Sequence, residues 1–161
     1  MKKPLAIVSF FVFFGLAASA RVLETQQQAL ASLGNVTRQT FFLTKEQAAA
    51  AGTDSQLVIR YAAANGAYAY FDTHRVRTEP ETLMMVIDSS GAISRIEILS
   101  FSEPTDYFPK RRWLDQFLGR KLDKDLSLKG AIRPISGASL TGAAIVNASR
   151  RILAIHHLLP R

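Results

Sequence analysis

The alternation of apolar and polar positions divides the chain into a β-rich middle and a helical end. From Val22 to Leu33 the apolar residues Val22, Leu23, Ala29, Leu30 and Leu33 predict an irregular amphipathic helix, closed by Gly34-Asn35. Thr44 followed by Gln47 is a capping-box pattern ahead of Ala48 to Ala51, with Gly52 as the stop. Gln56 to Ala63 and Gly66 to Phe71 read as strands joined through Asn65-Gly66, a strong hairpin signal. Thr82 to Ile87 and Ala92 to Leu99 form a second pair, joined through Asp88-Ser89-Ser90-Gly91. A helix is predicted over 110–119, with Trp113, Leu114, Phe117 and Leu118 as its buried stripe. The charged stretch from Lys121 to Lys129 reads as a surface connection. In the last helix, over 143–159, Ile145, Ala148, Ile152, Ile155 and Leu159 share one face and Asn147, Arg150 and Arg151 the other. The fold class expected is α+β: a mainly antiparallel sheet of about four strands in two hairpins, covered on one face by the C-terminal helix.

Composition adds a compartment. Among 161 residues, 48% are hydrophobic and 20% charged, the profile of one ordinary globular domain. Lys2 and Lys3 precede an apolar run from Pro4 to Leu16 that ends in Ala17-Ala18-Ser19-Ala20, the layout of a secretory signal. Cleavage is expected after Ala20, with an uncleaved anchor as the alternative. Removing Lys2 and Lys3 lowers the formal charge from +7 to +5. An exported chain has no nucleic acid to meet, so the surplus suits anionic lipid headgroups, an acidic partner, or simply a solvated face. With no cysteine, thiolate metal sites, iron–sulfur ligation, c-type haem attachment and lipoprotein anchoring are all excluded.

The candidate chemistry lies at Ser136-Gly137-Ala138-Ser139-Leu140-Thr141, a small-residue turn that runs into the last helix. Where a chain turns into a helix, unpaired N–H groups and the positive end of the dipole converge, which suits a phosphate. Gly137 and Ala138 leave room for a bulky group, and Ser139 offers an oxygen that can carry it as a phosphoester. The residues alone leave two readings open: an anion site with a modifiable hydroxyl, or a Ser-capped helix without a ligand. His74, His156 and His157 have no metal-site spacing, and the adjacent His156-His157 pair reads as solvent-facing. No Gly-x-Ser-x-Gly elbow, Walker loop or dinucleotide fingerprint occurs, which argues against a hydrolase. The polar stretch 72–79 reads as a loop facing solvent, a ligand or a partner.

Ser136-Gly137-Ala138-Ser139-Leu140-Thr141 followed by a helix resembles the flavinylation motif of the FMN-binding domain family. This family includes the covalent-flavin subunits of the sodium-pumping NADH:quinone oxidoreductase and of the Rnf complex. The order of strands, with Ile87-Asp88-Ser89-Ser90-Gly91-Ala92-Ile93 at the second turn, is similar too, so the resemblance spans roughly residues 55 to 157. After the signal peptide at 1–20 and the N-terminal helical segment at 21–54, it implies an FMN-binding domain at 55–161. It further implies that FMN is esterified to Ser139 by a flavin transferase outside the cytoplasm. Ser136, Gly137, Ala138, Leu140 and Thr141 would cradle it, and Glu103, Thr105 and Tyr107 would line the ring system. Phe108 is an alternative to Tyr107, and Lys110, Arg111 and Arg112 are candidates to hold the phosphate. The function implied is electron relay between redox proteins of the membrane or envelope, in the periplasm or another extracytoplasmic space. A flavin-free docking or sensory module with the same fold, and a flavoenzyme reducing a small molecule directly, are the alternatives. The chain departs from the family three times: Ser139 stands where the family usually has Thr, which keeps the nucleophilic hydroxyl, and two further positions differ. Arg133 stands where the family favours Asp, and Glu103-Pro104-Thr105 replaces Glu-Thr-Pro-Gly.

Overall fold

The computed structural model describes residues 21–160, the side chain of Arg21 excepted; the expected signal segment at 1–20 lies outside them. Among the described residues six strands make one antiparallel sheet: β1 (Arg21–Val22), β2 (Val36–Phe42), β3 (Leu57–Ala63), β4 (Tyr68–Arg75), β5 (Pro80–Ile87) and β6 (Ile93–Phe101). Their spatial order is β1-β6-β5-β4-β3-β2. Four helices accompany the sheet: α1 (Gln26–Ala31), α2 (Lys45–Ala51), α3 (Arg111–Leu114) and α4 (Ser139–Leu158). The α+β class and the two expected hairpins are present. β1 and β2 are additions, so residues 21–54 supply two strands as well as two helices. Val22 pairs with Ser100 rather than opening a helix, and α1 is only six residues long.

The centre of the sheet is buried on both faces. One face carries Leu83, Met85, Ile87, Ile96 and Ile98 against Phe117, Leu126, Ile132 and the Ile145, Ile152 and Leu153 stripe of α4. Behind it, Met84, Val86 and Leu99 pack with Ala29, Ala63 and Ala69 under α1. This second cover explains why Leu83 to Ile87 is continuously apolar: a strand buried on both sides has no polar face to show. α4 begins at Ser139, four residues before Ala143, and the predicted helix over 110–119 shortens to α3 and a 3-10 turn at Asp115–Phe117. Leu114 and Phe117 are buried, whereas Leu118 is 39% exposed. No helix among the described residues is long and apolar enough to cross a membrane.

The sheet is unevenly closed. β4 and β5 pair from Tyr68↔Ile87 to Arg75↔Pro80, but β3 and β4 pair only at Tyr61↔Ala69 and Ala62↔Tyr68, beside their turn. Beyond it they diverge around a cleft of about 490 Å3 that reaches Arg151, Ile152 and Ile155 of α4.

Candidate functional site

Three separate segments meet at the start of α4. Gly137 takes a left-handed φ of 79°, which an L side chain rarely adopts, and this turns the chain into the helix. The Ala138 N–H donates to the Ile135 carbonyl at 3.2 Å, and the Gly142 N–H donates to the Ala138 carbonyl at 3.1 Å. Between these bonds the N–H groups of Ser139, Leu140 and Thr141 have no intrahelical acceptor, and no side chain caps the helix. Val76 and Arg77, just past β4, and Glu103 and Tyr107, past β6, close a cavity of about 140 Å3 over Gly137, Ala138, Ser139, Leu140 and Thr141. The Arg77 N–H donates to Glu103 Oε1 at 3.3 Å, joining the two strand ends.

Within this cavity Ser139 is exposed, and its hydroxyl makes no hydrogen bond among the described residues. Thr141 is buried, while Leu140 is 51% and Tyr107 39% exposed. Ser136 lies in the turn and Thr105 in the 3-10 helix Thr105–Tyr107, both outside the cavity lining. Val76 and Arg77 join the site through strand length alone; their only sequence signal was membership of the polar stretch 72–79. Three open N–H groups, the helix dipole, the charge of Arg77 and a free hydroxyl suit a phosphate, opposed by the carboxylate of Glu103 in the same lining. The cavity is smaller than the roughly 300–1,000 Å3 of clefts that enclose a drug-sized ligand. A phosphate is within that size, and a fused ring system is not.

Other residues singled out in the sequence lie elsewhere. Arg111 Nε donates to Asp115 Oδ1 at 3.0 Å, and Lys110 and Arg112 line a different hollow together with Arg133. Phe108 packs edge-on against Phe101, with centroids 5.2 Å apart. His156, expected to face solvent, is buried, and its Nδ1 shares a 2.8 Å hydrogen bond with the Tyr70 hydroxyl. Burial pushes the Tyr70 phenol up to about 12, against the opposing charge of Arg60.

The stretch 72–79 does not form the solvent-facing loop its composition suggests, because β4 runs through it to Arg75. Asp72 accepts two bonds from Arg151, Nε to Oδ2 at 2.8 Å and Nη2 to Oδ1 at 2.7 Å, and a third from His74 Nδ1 at 2.9 Å. Burial alone would raise its carboxyl; the bonds from His74 and Arg151 outweigh that and hold it at about 2. Opposite His74 on β5 stands Glu81, fully buried, with neither carboxyl oxygen hydrogen-bonded among the described residues. Burial, with the charge of Asp72 behind it, pushes Glu81 up to about 8, so at neutral pH it is mostly the uncharged acid. His74 Nε2 is buried without a partner among the described residues as well. This polar row was missed because alternate residues of a strand share a face only once the strand is known.

Compared with protein-family models, with curated proteins and with solved structures, the chain matches none.

Proposed function

We propose that the chain is an exported FMN-binding domain that carries the flavin phosphate at the start of α4, esterified to Ser139, and relays electrons between redox partners at the cell envelope. One observation supports this most: Val76 and Arg77, Glu103 and Tyr107, and residues 137–141, distant in sequence, converge on one cavity around a helix start that no side chain caps. The N–H groups of Ser139, Leu140 and Thr141 would bind phosphate oxygens, and Arg77 would add a positive charge beside them. The exposed Ser139 hydroxyl is reachable by a flavin transferase. Tyr107 and Leu140 are the apolar surface available to rings too large to enter. When bound, FMN supplies one- and two-electron transfer; the protein sets its orientation and access.

The test is to co-express the full chain with a flavin transferase in an exporting host, denature the product and digest it. The expected result is a yellow peptide containing Ser139 with the added mass of FMN. Colour that washes out and leaves Ser139 unmodified rejects the ester. The small cavity, Arg133 and the altered Glu103-Pro104-Thr105 segment favour a second reading, a flavin-free docking or sensory module. A near-stoichiometric flavin absorption spectrum in the native protein would reject that one.

A further inference from the structure

Beside the α4 cavity lies a separate hollow of about 590 Å3, lined chiefly by Lys110, Arg112, Trp113, Gln116, Arg120 and Arg133. Four of these six residues are cations, and no carboxylate lines the hollow. None of the four forms an ion pair among the described residues, whereas the adjacent Arg111 is spent on Asp115. The walls are tied together by groups other than these charges. Trp113 Nε1–H donates to the Arg133 carbonyl at 2.6 Å, the Arg133 N–H to Gln116 Oε1 at 2.9 Å, and Gln116 Nε2–H to the Trp113 carbonyl at 3.2 Å. Arg120 Nε–H donates to the Gln116 carbonyl at 3.3 Å, which fixes that guanidinium without neutralising it. A concave site therefore exists in which four positive charges converge on a scaffold held in place by its own hydrogen bonds.

We infer that this hollow is the docking site for an acidic segment of a partner protein, with the partner's carboxylates received by Arg112, Arg120, Arg133 and Lys110. Guanidinium groups match carboxylates two bonds at a time, and complementary charge raises the rate of encounter and fixes register. A bilayer is a poorer occupant, because its flat surface meets protruding side chains, not a recess. Single-stranded nucleic acid requires stacking platforms, but the one aromatic ring here is half-buried with its N–H engaged. Trp113 also connects the hollow to α4: a methyl group placed on Gly142 would lie 3.5 Å from its Cζ2. The docked segment thus sits one indole ring away from the first turn of α4. The inference rests on charge and shape, and stands whether or not Ser139 carries a flavin.

Trp113 is the only tryptophan, so its emission reports on the hollow. Titrating the full chain with hexaglutamate at low salt should give a saturable emission change that fades as added salt screens the charges. Arg112→Gln with Arg133→Gln should weaken binding by about tenfold or more. Lys110→Gln with Arg112→Gln is a second groove variant, in case the first fails to fold. Arg38→Gln with Lys45→Gln removes the same charge from β2 and α2 and should leave binding unchanged. A flat titration, or equal weakening by the groove and control pairs, overturns the proposal. It is also overturned if phosphatidylglycerol vesicles or a single-stranded oligonucleotide produce a stronger groove-dependent change than hexaglutamate, since a different class of partner would then fit better.

Discussion

The two ends of α4 are built on opposite plans. At its C-terminal end Arg60, only 3% exposed, donates to the Pro160 carbonyl and to Gln39 Oε1, each at 2.8 Å. Its guanidinium also lies 4.2 Å from the Tyr68 ring centroid and 4.8 Å from that of Phe41. Next to it His156 is bonded to Tyr70, and Leu159 is buried. At the N-terminal end no side chain caps the helix, and Ser139 and Leu140 are exposed. Yet the chain does cap helices elsewhere. α1 and α2 both have complete capping boxes, Thr25 with Gln28 and Thr44 with Gln47. The four-residue α3 has no side-chain cap and runs straight into the 3-10 turn at Asp115–Phe117, whereas the 20-residue α4 is held by the face it buries and keeps its first-turn donors available. Its stability and its chemical availability are thus assigned to opposite ends.

Between the two ends lies the polar row under α4, where the largest effect is expected. Glu81 has its folded-state value raised to about 8 from an ordinary 4.5, so the native protein holds a proton that the unfolded chain releases. The group therefore stabilises the fold fully below pH 4.5, and that contribution falls away as pH rises towards 8. Glu81→Gln should be more stable than the parent at neutral pH, by on the order of 3 kcal/mol. It should also flatten the decline in stability between mildly acidic and mildly alkaline pH. Denaturant melts of both proteins across that range provide the check, and superimposable pH profiles would show that Glu81 is not held protonated. Asp72 acts with the opposite sign, its contribution being present above pH 3.8 and lost as pH falls towards 2.

The closed end comes next in size. Arg60→Met keeps an apolar stem but loses the Pro160 and Gln39 bonds and both ring contacts, so a cost of about 2 kcal/mol is expected. Hydrogen exchange should localise the loosening to the last turns of α4, leaving the amides near Ser139 as before. Equal loosening at both ends would show that α4 responds as one unit, with no division between a closed and an open end.

How much of this is legible in the chain depends on whether its cause is local. The caps of α2, the Asn65-Gly66 turn and the 88–91 turn can be read from a few neighbouring residues, and all are found in the structure. β2 cannot, because it is an edge strand whose only partner among the described residues is β3. Its alternation is blurred, with Phe42 at 80% exposure where a core residue would be expected. The quartet at 136–139 was visible as a helix start with a hydroxyl. The walls were not: Val76 and Arg77 meet Glu103 and Tyr107 only because β4 and β6, both antiparallel to β5, finish at the same end of the sheet. Register and strand length decide that. For the same reason His156 looked like one of two surface histidines until Tyr70 was placed beneath it.

The smallest structural effect tests the open end most sharply. Ser139 Oγ makes no hydrogen bond among the described residues and the residue is exposed, so Ser139→Ala should change unfolding free energy by no more than about 0.5 kcal/mol, as for an ordinary surface substitution. Had Ser139 been a working N-cap, the same change would cost about 1 kcal/mol. The proposed flavin ester, by contrast, should be absent from this variant altogether, because no side-chain oxygen remains at that position to carry it. Ser139→Thr keeps the hydroxyl and should restore the ester. A thermal melt and a peptide mass measurement on each variant read the two properties separately. Loss of the ester in Ser139→Ala with an unchanged melt, and its return in Ser139→Thr, is the pattern expected of a helix start kept free for chemistry. A melt lowered by a full cap's worth would mean that the hydroxyl serves the fold.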